Sequence, residues 1–156
     1  MGGEMEQGSE EGVLKALRTA LAGGGFRLTQ QRLSIYKALE SSGSHPSCED
    51  LFRKLRTSMP SLSMDTVYRT VGTLEQSGMI RKIVSMDGVQ RYDANLSNHH
   101  HFVCERCFGV WDIDWEAFDL FPLPEDLSAL GTMRTCQVEF KGICLKCGSL
   151  GSGSWG

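Results

Sequence analysis

The stretch His99-His100-His101-Phe102-Val103-Cys104-Glu105-Arg106-Cys107 places three imidazoles and two thiols in nine consecutive positions. A second cysteine pair follows near the C-terminus, in Cys144-Leu145-Lys146-Cys147. Two residues between cysteines allow a tight turn that directs both thiolates at one ion, and two such turns supply the four sulfur ligands of a tetrahedral Zn²⁺ site. The sequence therefore predicts a structural zinc site, formed by Cys104, Cys107, Cys144 and Cys147.

The histidines predict a second metal site. Alternate side chains of a strand point to opposite faces, so His99 and His101 share one side and His100 takes the other. Carboxylates lie nearby in the sequence, and one further imidazole stands in the N-terminal half. Mixed imidazole and carboxylate ligation suits Fe²⁺, Mn²⁺ or Zn²⁺. The candidate ligands are His45, Asp93, His99, His101 and Asp112.

Charge is unevenly distributed along the 156 residues. The formal net charge is −3, but residues 1–98 carry 12 Lys and Arg against 11 Asp and Glu, whereas residues 99–156 carry four against eight. The mildly basic first part keeps nucleic-acid binding open. The N-terminus lacks the features of a signal peptide and no apolar run is long enough to span a membrane, which favours a cytoplasmic protein. In that compartment paired cysteines indicate metal ligands before disulfides.

Apolar periodicity and capping residues predict four helices in the first part of the chain. Thr29 and Ser63 are expected N-caps, Pro46-Ser47 opens a third helix, and glycines end the first and fourth. The predicted helices span Val13–Leu21, 30–39, Cys48–Leu55 and Met64–Ser77.

Two strand-like runs, Met79–Ser85 and Val89–Asp93, flank Asp87-Gly88, which is a hairpin signal. Helices followed by such a hairpin predict a winged helix-turn-helix, and the helix over Met64–Ser77 then becomes the recognition helix in the major groove. Basic and hydroxyl side chains near that helix can contact bases and phosphates, with Arg81-Lys82 adding charge at the wing. The candidate DNA-contacting residues are Arg27, Ser63, Thr66, Tyr68 and Arg69.

The second part predicts a small α/β unit. Strands are expected at His101–Val103, Val110–Ile113 and Met133–Phe140, with a helix over Trp115–Phe121. The overall fold class is therefore α+β.

With these motifs in place, the sequence resembles the ferric uptake regulator family of bacterial metal- and peroxide-responsive repressors. The resemblance runs through nearly the whole chain. Its matching segments are Gly25-Phe26-Arg27-Leu28-Thr29-Gln30-Gln31-Arg32, His45-Pro46-Ser47, Asp65-Thr66-Val67-Tyr68-Arg69-Thr70, Asp87-Gly88, Arg91-Tyr92-Asp93, His99-His100-His101-Phe102-Val103-Cys104 and both cysteine pairs.

The resemblance implies a homodimer on an operator in double-stranded DNA, with structural Zn²⁺ on the four cysteines and regulatory Fe²⁺ or Mn²⁺ (or Zn²⁺) on the five histidine and aspartate ligands. The implied domains are a flexible N-terminus (1–12), a winged-helix DNA-binding domain (13–93), a hinge (94–98), a metal-binding dimerisation domain (99–148) and a flexible tail (149–156). Aspartate rather than glutamate at Asp93 and Asp112 resembles the peroxide-sensing branch, in which bound Fe²⁺ and peroxide oxidise a ligand imidazole.

The sequence also departs from the family pattern. Phe108 stands where glycine is usual after the first cysteine pair, and Asn98 and Cys136 stand where histidine is common, beside His100, in a further family metal site. Three alternatives remain open: an iron- or zinc-availability regulator without peroxide sensing, a zinc-stabilised protein-interaction module, and a metalloenzyme. No nucleophile or general base accompanies the candidate ligands, so we expect no enzyme.

Overall fold

The computed structural model of the chain describes residues 10–83, 88–120 and 122–149. These residues form two units. The first contains residues 10–42, 46–83 and 90–96, and the second contains residues 43–45, 88–89, 97–120 and 122–149. The flexible ends predicted at 1–12 and 149–156 lie outside the described residues, except that residues 10–12 and Ser149 are helical.

The first unit begins with four helices. Helix α2 starts after Thr29, α3 after Ser47 and α4 after Ser63, and each of these side chains accepts a hydrogen bond from a backbone N–H in the first turn. This confirms the predicted N-caps Thr29 and Ser63 and adds Ser47 as a third. Glycines that follow α1 and α4, Gly25 and Gly78, adopt positive φ angles of 78° and 68°. The helices are α1 (Glu10–Gly23), α2 (Gln30–Glu40), α3 (Cys48–Leu55) and α4 (Met64–Gln76).

The apolar faces of these helices meet in one core. That core includes Leu17, Ile35, Leu51, Val67 and Leu74, none more than 1 % exposed. Because α3 and α4 both contribute side chains to it, their positions relative to each other are fixed by close packing.

A two-stranded antiparallel hairpin completes the first unit. Strands β1 (Arg81–Ile83) and β2 (Arg91–Asp93) pair with Arg81 opposite Asp93. Both strands are shorter than the predicted runs, and Asp87 lies outside the described residues. Helices followed by this hairpin form the predicted winged helix-turn-helix.

The second unit contains a three-stranded sheet in the order β4-β3-β5. Strands β3 and β4 are antiparallel, and β3 and β5 are parallel. Its elements are β3 (His100–Cys104), β4 (Val110–Ile113), α5 (Glu116–Asp119), α6 (Asp126–Leu130), β5 (Glu139–Gly142) and α7 (Leu145–Ser149). Together the two units confirm the α+β class.

The strand predicted over Met133–Phe140 is wrong for most of its length. Residues 131–138 form no strand, and pairing with β3 starts at Glu139, opposite His101. An alternating pattern becomes a strand only where a neighbour completes its hydrogen bonds, and in this parallel pairing β3 begins at His100, one residue before the partner of Glu139. The predicted Trp115–Phe121 helix is a single turn at Glu116–Asp119, and Phe121 lies outside the described residues. Within the described part of the chain, no helix is both long and apolar enough to cross a bilayer.

Candidate metal centres and nucleic-acid interface

The four paired cysteines converge in the second unit. Cys104 ends β3, Cys107 follows in the turn, Cys144 precedes α7 and Cys147 lies within it. Their sulfurs lie within 4.8 Å of one another, and the Cys107 and Cys144 Sγ atoms are 3.8 Å apart. A tetrahedron with Zn–S bonds of about 2.3 Å has edges of about 3.8 Å, so the donor set fits Zn²⁺.

Backbone amides surround these sulfurs. The N–H groups of Cys144 and Cys107 donate to Cys104 Sγ at 3.4 and 3.5 Å, and the N–H of Cys147 donates to Cys144 Sγ at 3.4 Å. The donor from Cys144, with that from Cys107, lowers the pKa of Cys104 to about 6. Burial raises the pKa of Cys147 to about 12. The turns thus orient the thiols and favour a thiolate at Cys104.

The turn after Cys107 has the geometry that glycine usually supplies. Phe108 adopts a φ of 56°, in the left-handed region that costs a non-glycine residue about 1 kcal/mol or more. A Cβ atom built on Gly109 would approach the Trp111 ring to 2.6 Å, so a side chain at the next position would require that ring to move. The departure noted at Phe108 therefore leaves the turn itself intact.

Imidazoles form a second cluster in the same unit. His99 and His101 point to one side of β3, with their Nε2 atoms 3.0 Å apart. His100 points to the other side, where its Nδ1 accepts the Val138 N–H at 3.0 Å and its ring contacts Phe118. This alternation confirms the predicted sidedness of the three histidines.

Strand pairing and a distant loop complete the second cluster. Asp112 lies opposite His101 in the β3–β4 ladder. Its Oδ1 is 2.5 Å from His45 Nε2, 3.3 Å from His99 Nε2 and 3.6 Å from His101 Nε2. His45 has a φ of 45° and is 3 % exposed. The structure thus brings four of the five predicted ligands together in the second unit.

The tautomer of His99 suits metal binding. Its Nδ1 lies 3.0 Å from the Ser97 carbonyl oxygen, which can only accept, so Nδ1 carries the hydrogen. In the neutral ring Nε2 then presents its lone pair toward His101 and Asp112, the arrangement that metal-binding histidines adopt. Adjacent ligands at about 2.1 Å from an ion are about 3 Å apart, which matches these separations. The cluster fits a divalent cation.

The fifth predicted ligand, Asp93, belongs to the first unit. It is 3 % exposed, and its Oδ2 accepts from Arg81 Nε at 3.0 Å while its Oδ1 accepts the Asn95 N–H at 2.7 Å. Arg81, expected to supply charge at the wing, therefore forms an ion pair in the hairpin, and Lys82 pairs with Glu75 at 3.4 Å. Metal ligation by Asp93 stays a prediction.

The two remaining cysteines lie outside both clusters. Cys48 is buried in the core of the first unit, and burial raises its pKa to about 11. Cys136 is half-buried. No described cluster of candidate metal ligands contains Cys136 or His100. The side chain of Asp119, a further candidate there, is not among those described.

The predicted recognition helix presents an exposed polar face. Ser63 Oγ accepts the Thr66 N–H at 3.1 Å and contacts the Thr66 hydroxyl at 2.8 Å, so both side chains also serve the helix start. Arg69 is exposed and its Nε donates to Asp65 at 3.0 Å. Arg27 is exposed in the loop before α2. DNA contact by these residues stays a prediction.

Tyr68 has a partner that the sequence did not indicate. The ring is half exposed, and its hydroxyl donates a hydrogen bond to the carboxylate of Glu49, in the first turn of α3. This bond raises the pKa of Tyr68 and lowers that of Glu49. Residues nineteen positions apart on different helices share no local pattern, so only the packing of α3 on α4 could reveal the pair.

The sequence matches a known protein family and is similar to characterised bacterial proteins. Residues 23–119 match the ferric uptake regulator family. The chain is 30% identical over 137 residues to the peroxide operon regulator of Bacillus subtilis, covering 86% of this chain and 92% of the relative. It is 28% identical over 148 residues to the peroxide-responsive repressor PerR of Staphylococcus epidermidis, covering 94% and 97%.

Among solved structures, the ferric uptake regulator of Helicobacter pylori superposes with a TM-score of 0.73, covering 92% of this chain and 95% of that one. At 21% identity this likeness shows the fold.

Proposed function

This chain belongs to the ferric uptake regulator family of metal-responsive transcriptional regulators, which are not enzymes, and on that premise we propose that it is a metal-dependent DNA-binding repressor that senses peroxide. The observation that carries the sensing step is the group of three buried imidazoles around one oxygen of Asp112. The peroxide-responsive repressors among its relatives support the same signal. The thiols of the second unit suit a reducing cytoplasm.

Two metals have separate roles in this proposal. Zn²⁺ on the four thiols stabilises the second unit. Its role is structural because a complete set of four sulfurs leaves no open coordination position for chemistry. Fe²⁺ or Mn²⁺ binds His45, His99, His101 and Asp112, with Asp93 as the fifth ligand on the strength of the family resemblance. Zn²⁺ can also bind such a set, which keeps a metal-availability regulator as the second candidate.

Oxidation is proposed at His45 or His99. Bound Fe²⁺ would activate peroxide, so that one oxygen of H₂O₂ would insert into a C–H bond of the imidazole and the other would leave as water. The modified ring no longer donates to the ion. The metal then no longer stabilises the DNA-binding conformation relative to the other conformations of the protein. A dimer whose recognition helices shift then fails to span two half-sites.

A homodimer is proposed from the surface of the second unit. Of the large apolar side chains that are exposed among the described residues, all but Tyr68 and Leu96 lie in that unit, and Leu120, Leu130 and Leu145 are at least 84% exposed. Exposed apolar surface of this kind marks interfaces. Size-exclusion chromatography with light scattering should give twice the chain mass of 17.2 kDa; a chain that stays monomeric at all concentrations contradicts this part.

The decisive experiment is a DNA mobility shift with Zn-loaded protein and Fe²⁺, Mn²⁺ or added Zn²⁺, each with and without peroxide. We expect Fe²⁺ and Mn²⁺ to support binding and peroxide to abolish it only with Fe²⁺, with one oxygen added to His45 or His99 by peptide mass spectrometry. Arg69→Ala is the control for DNA contact and should weaken binding at least about fivefold. If Fe²⁺-supported binding survives peroxide and no histidine is oxidised, the metal-availability regulator remains as the function.

A further inference from the structure

Glu49 and Tyr68 form an exposed hydrogen bond on the face that carries the candidate DNA contacts. The Tyr68 hydroxyl donates to the Glu49 carboxylate. Both residues sit near the start of well-anchored helices: the Ser47 capping box fixes the first turn of α3, and Ser63 caps α4. Both helices also pack into the same core. The bond therefore joins two elements whose geometry is set independently of it.

This bond determines what the phenol can offer to DNA. A tyrosine hydroxyl has one hydrogen to donate and lone pairs to accept with. A hydrogen bond to an ionised carboxylate is roughly twice as strong as one between neutral groups, so the hydrogen is committed to Glu49. The part of the Tyr68 hydroxyl that remains available to DNA is its oxygen, which can accept a hydrogen bond.

Phosphate is a poor partner for such a group. Phosphate oxygens only accept, and the Glu49 carboxylate beside the hydroxyl repels them. In the major groove, the groups that donate are the exocyclic amino groups of adenine (N6) and cytosine (N4). Arg69, by contrast, keeps donors on its two terminal nitrogens while its Nε contacts Asp65.

We propose that Glu49 is a positioning residue that makes Tyr68 a hydrogen-bond acceptor for the amino group of an adenine or cytosine in the operator. The inference rests on the proposed DNA-binding function and assigns the chemistry of one contact in it. Tyr68 then contributes to sequence recognition and not to phosphate binding, and Glu49 acts through Tyr68 without touching DNA.

The test is selection from a randomised duplex library with the full Zn-loaded chain and Mn²⁺. Wild type is compared with Tyr68→Phe, Glu49→Ala and the double variant, and Glu40→Ala at the exposed end of α2 controls for the loss of one carboxylate. Tyr68 and Glu49 are exposed, so the variants should fold, which circular dichroism checks. A matched duplex then lacks the amino group of the identified base, with purine replacing adenine or 2-pyrimidinone replacing cytosine.

We expect Tyr68→Phe and Glu49→Ala to lose the same adenine or cytosine preference, about fivefold each, the value of one hydrogen bond. The double variant should lose no more than Tyr68→Phe, because the two residues act as one unit. Wild type should discriminate against the amino-deleted duplex, and Tyr68→Phe should not.

Two results overturn the inference. If Tyr68→Phe weakens binding equally for all sequences, the phenol contacts phosphate. If Glu49→Ala keeps the wild-type preference, Glu49 does not position Tyr68. Failure of wild type to enrich any sequence is a different result, since it removes the proposed function together with this contact.

Discussion

The thiol cluster and the imidazole cluster lie in the same unit but are assembled in different ways. Each cysteine pair is oriented by its own turn, in which the N–H of the second cysteine donates to the sulfur of the first. The Cys144 N–H also donates to Cys104, where β5 pairs with β3. The imidazole cluster depends on a strand pairing for Asp112 and on a residue 67 positions away, His45. The four thiols make a complete tetrahedral set, whereas the imidazole cluster includes the Asp112 side chain, which is 37% exposed, so solvent reaches that cluster. A complete set of four sulfurs suits a permanent metal, and a partly exposed set of imidazoles and a carboxylate suits an exchangeable one.

The largest effect should follow loss of a thiol. We expect Cys104→Ser to abolish zinc binding and lower the unfolding midpoint by more than about 10 °C, because structural Zn²⁺ contributes its binding free energy to folding. Elemental analysis and calorimetry measure both. An unchanged zinc content would show that the four cysteines do not form one site.

Loss of an imidazole-cluster ligand should separate binding from stability. Asp112→Asn and His45→Ala are each expected to weaken Mn²⁺ binding at least about 100-fold while zinc content stays at one ion per chain. Isothermal titration with Mn²⁺ measures the affinity. If zinc were lost together with Mn²⁺, the two clusters would not be independent and the comparison would fail.

His100 should behave as a structural residue, unlike its two neighbours. His100→Leu keeps the bulk against Phe118 but removes the acceptor for the Val138 N–H. We expect a loss of about 1–3 kcal/mol in the free energy of unfolding, with Mn²⁺ affinity unchanged. His101→Leu, on the opposite face of β3, is the matched control and should abolish Mn²⁺ binding. Loss of Mn²⁺ binding in His100→Leu would place His100 in the regulatory site.

The smallest effect is expected at Cys136, which belongs to neither cluster. Cys136→Ser should change the free energy of unfolding by no more than about 0.5 kcal/mol and leave both metal contents as they are. Denaturant unfolding and elemental analysis check this. A fall in zinc would mean that Cys136 exchanges with one of the four paired cysteines.

The sequence predicted the first unit more closely than the second. The N-caps Thr29, Ser47 and Ser63 act within three residues, so the starts of α2, α3 and α4 could be read from the chain. The strand predicted over Met133–Phe140 failed because its pattern was local and its hydrogen-bonding partner was not. Helices α6 and α7 were missed for a related reason: at five residues each, they carry too little periodicity to be recognised.

By itself, the sequence determined the two tight cysteine turns, the sidedness of His99, His100 and His101, and the starts of α2, α3 and α4, because each depends on spacing within one turn, strand or helix. Only the tertiary structure decided that His45 and Asp112 meet, and that Tyr68 donates its hydrogen to Glu49. Those contacts join segments distant along the chain, and their geometry follows from strand register and helix packing, which no local pattern encodes.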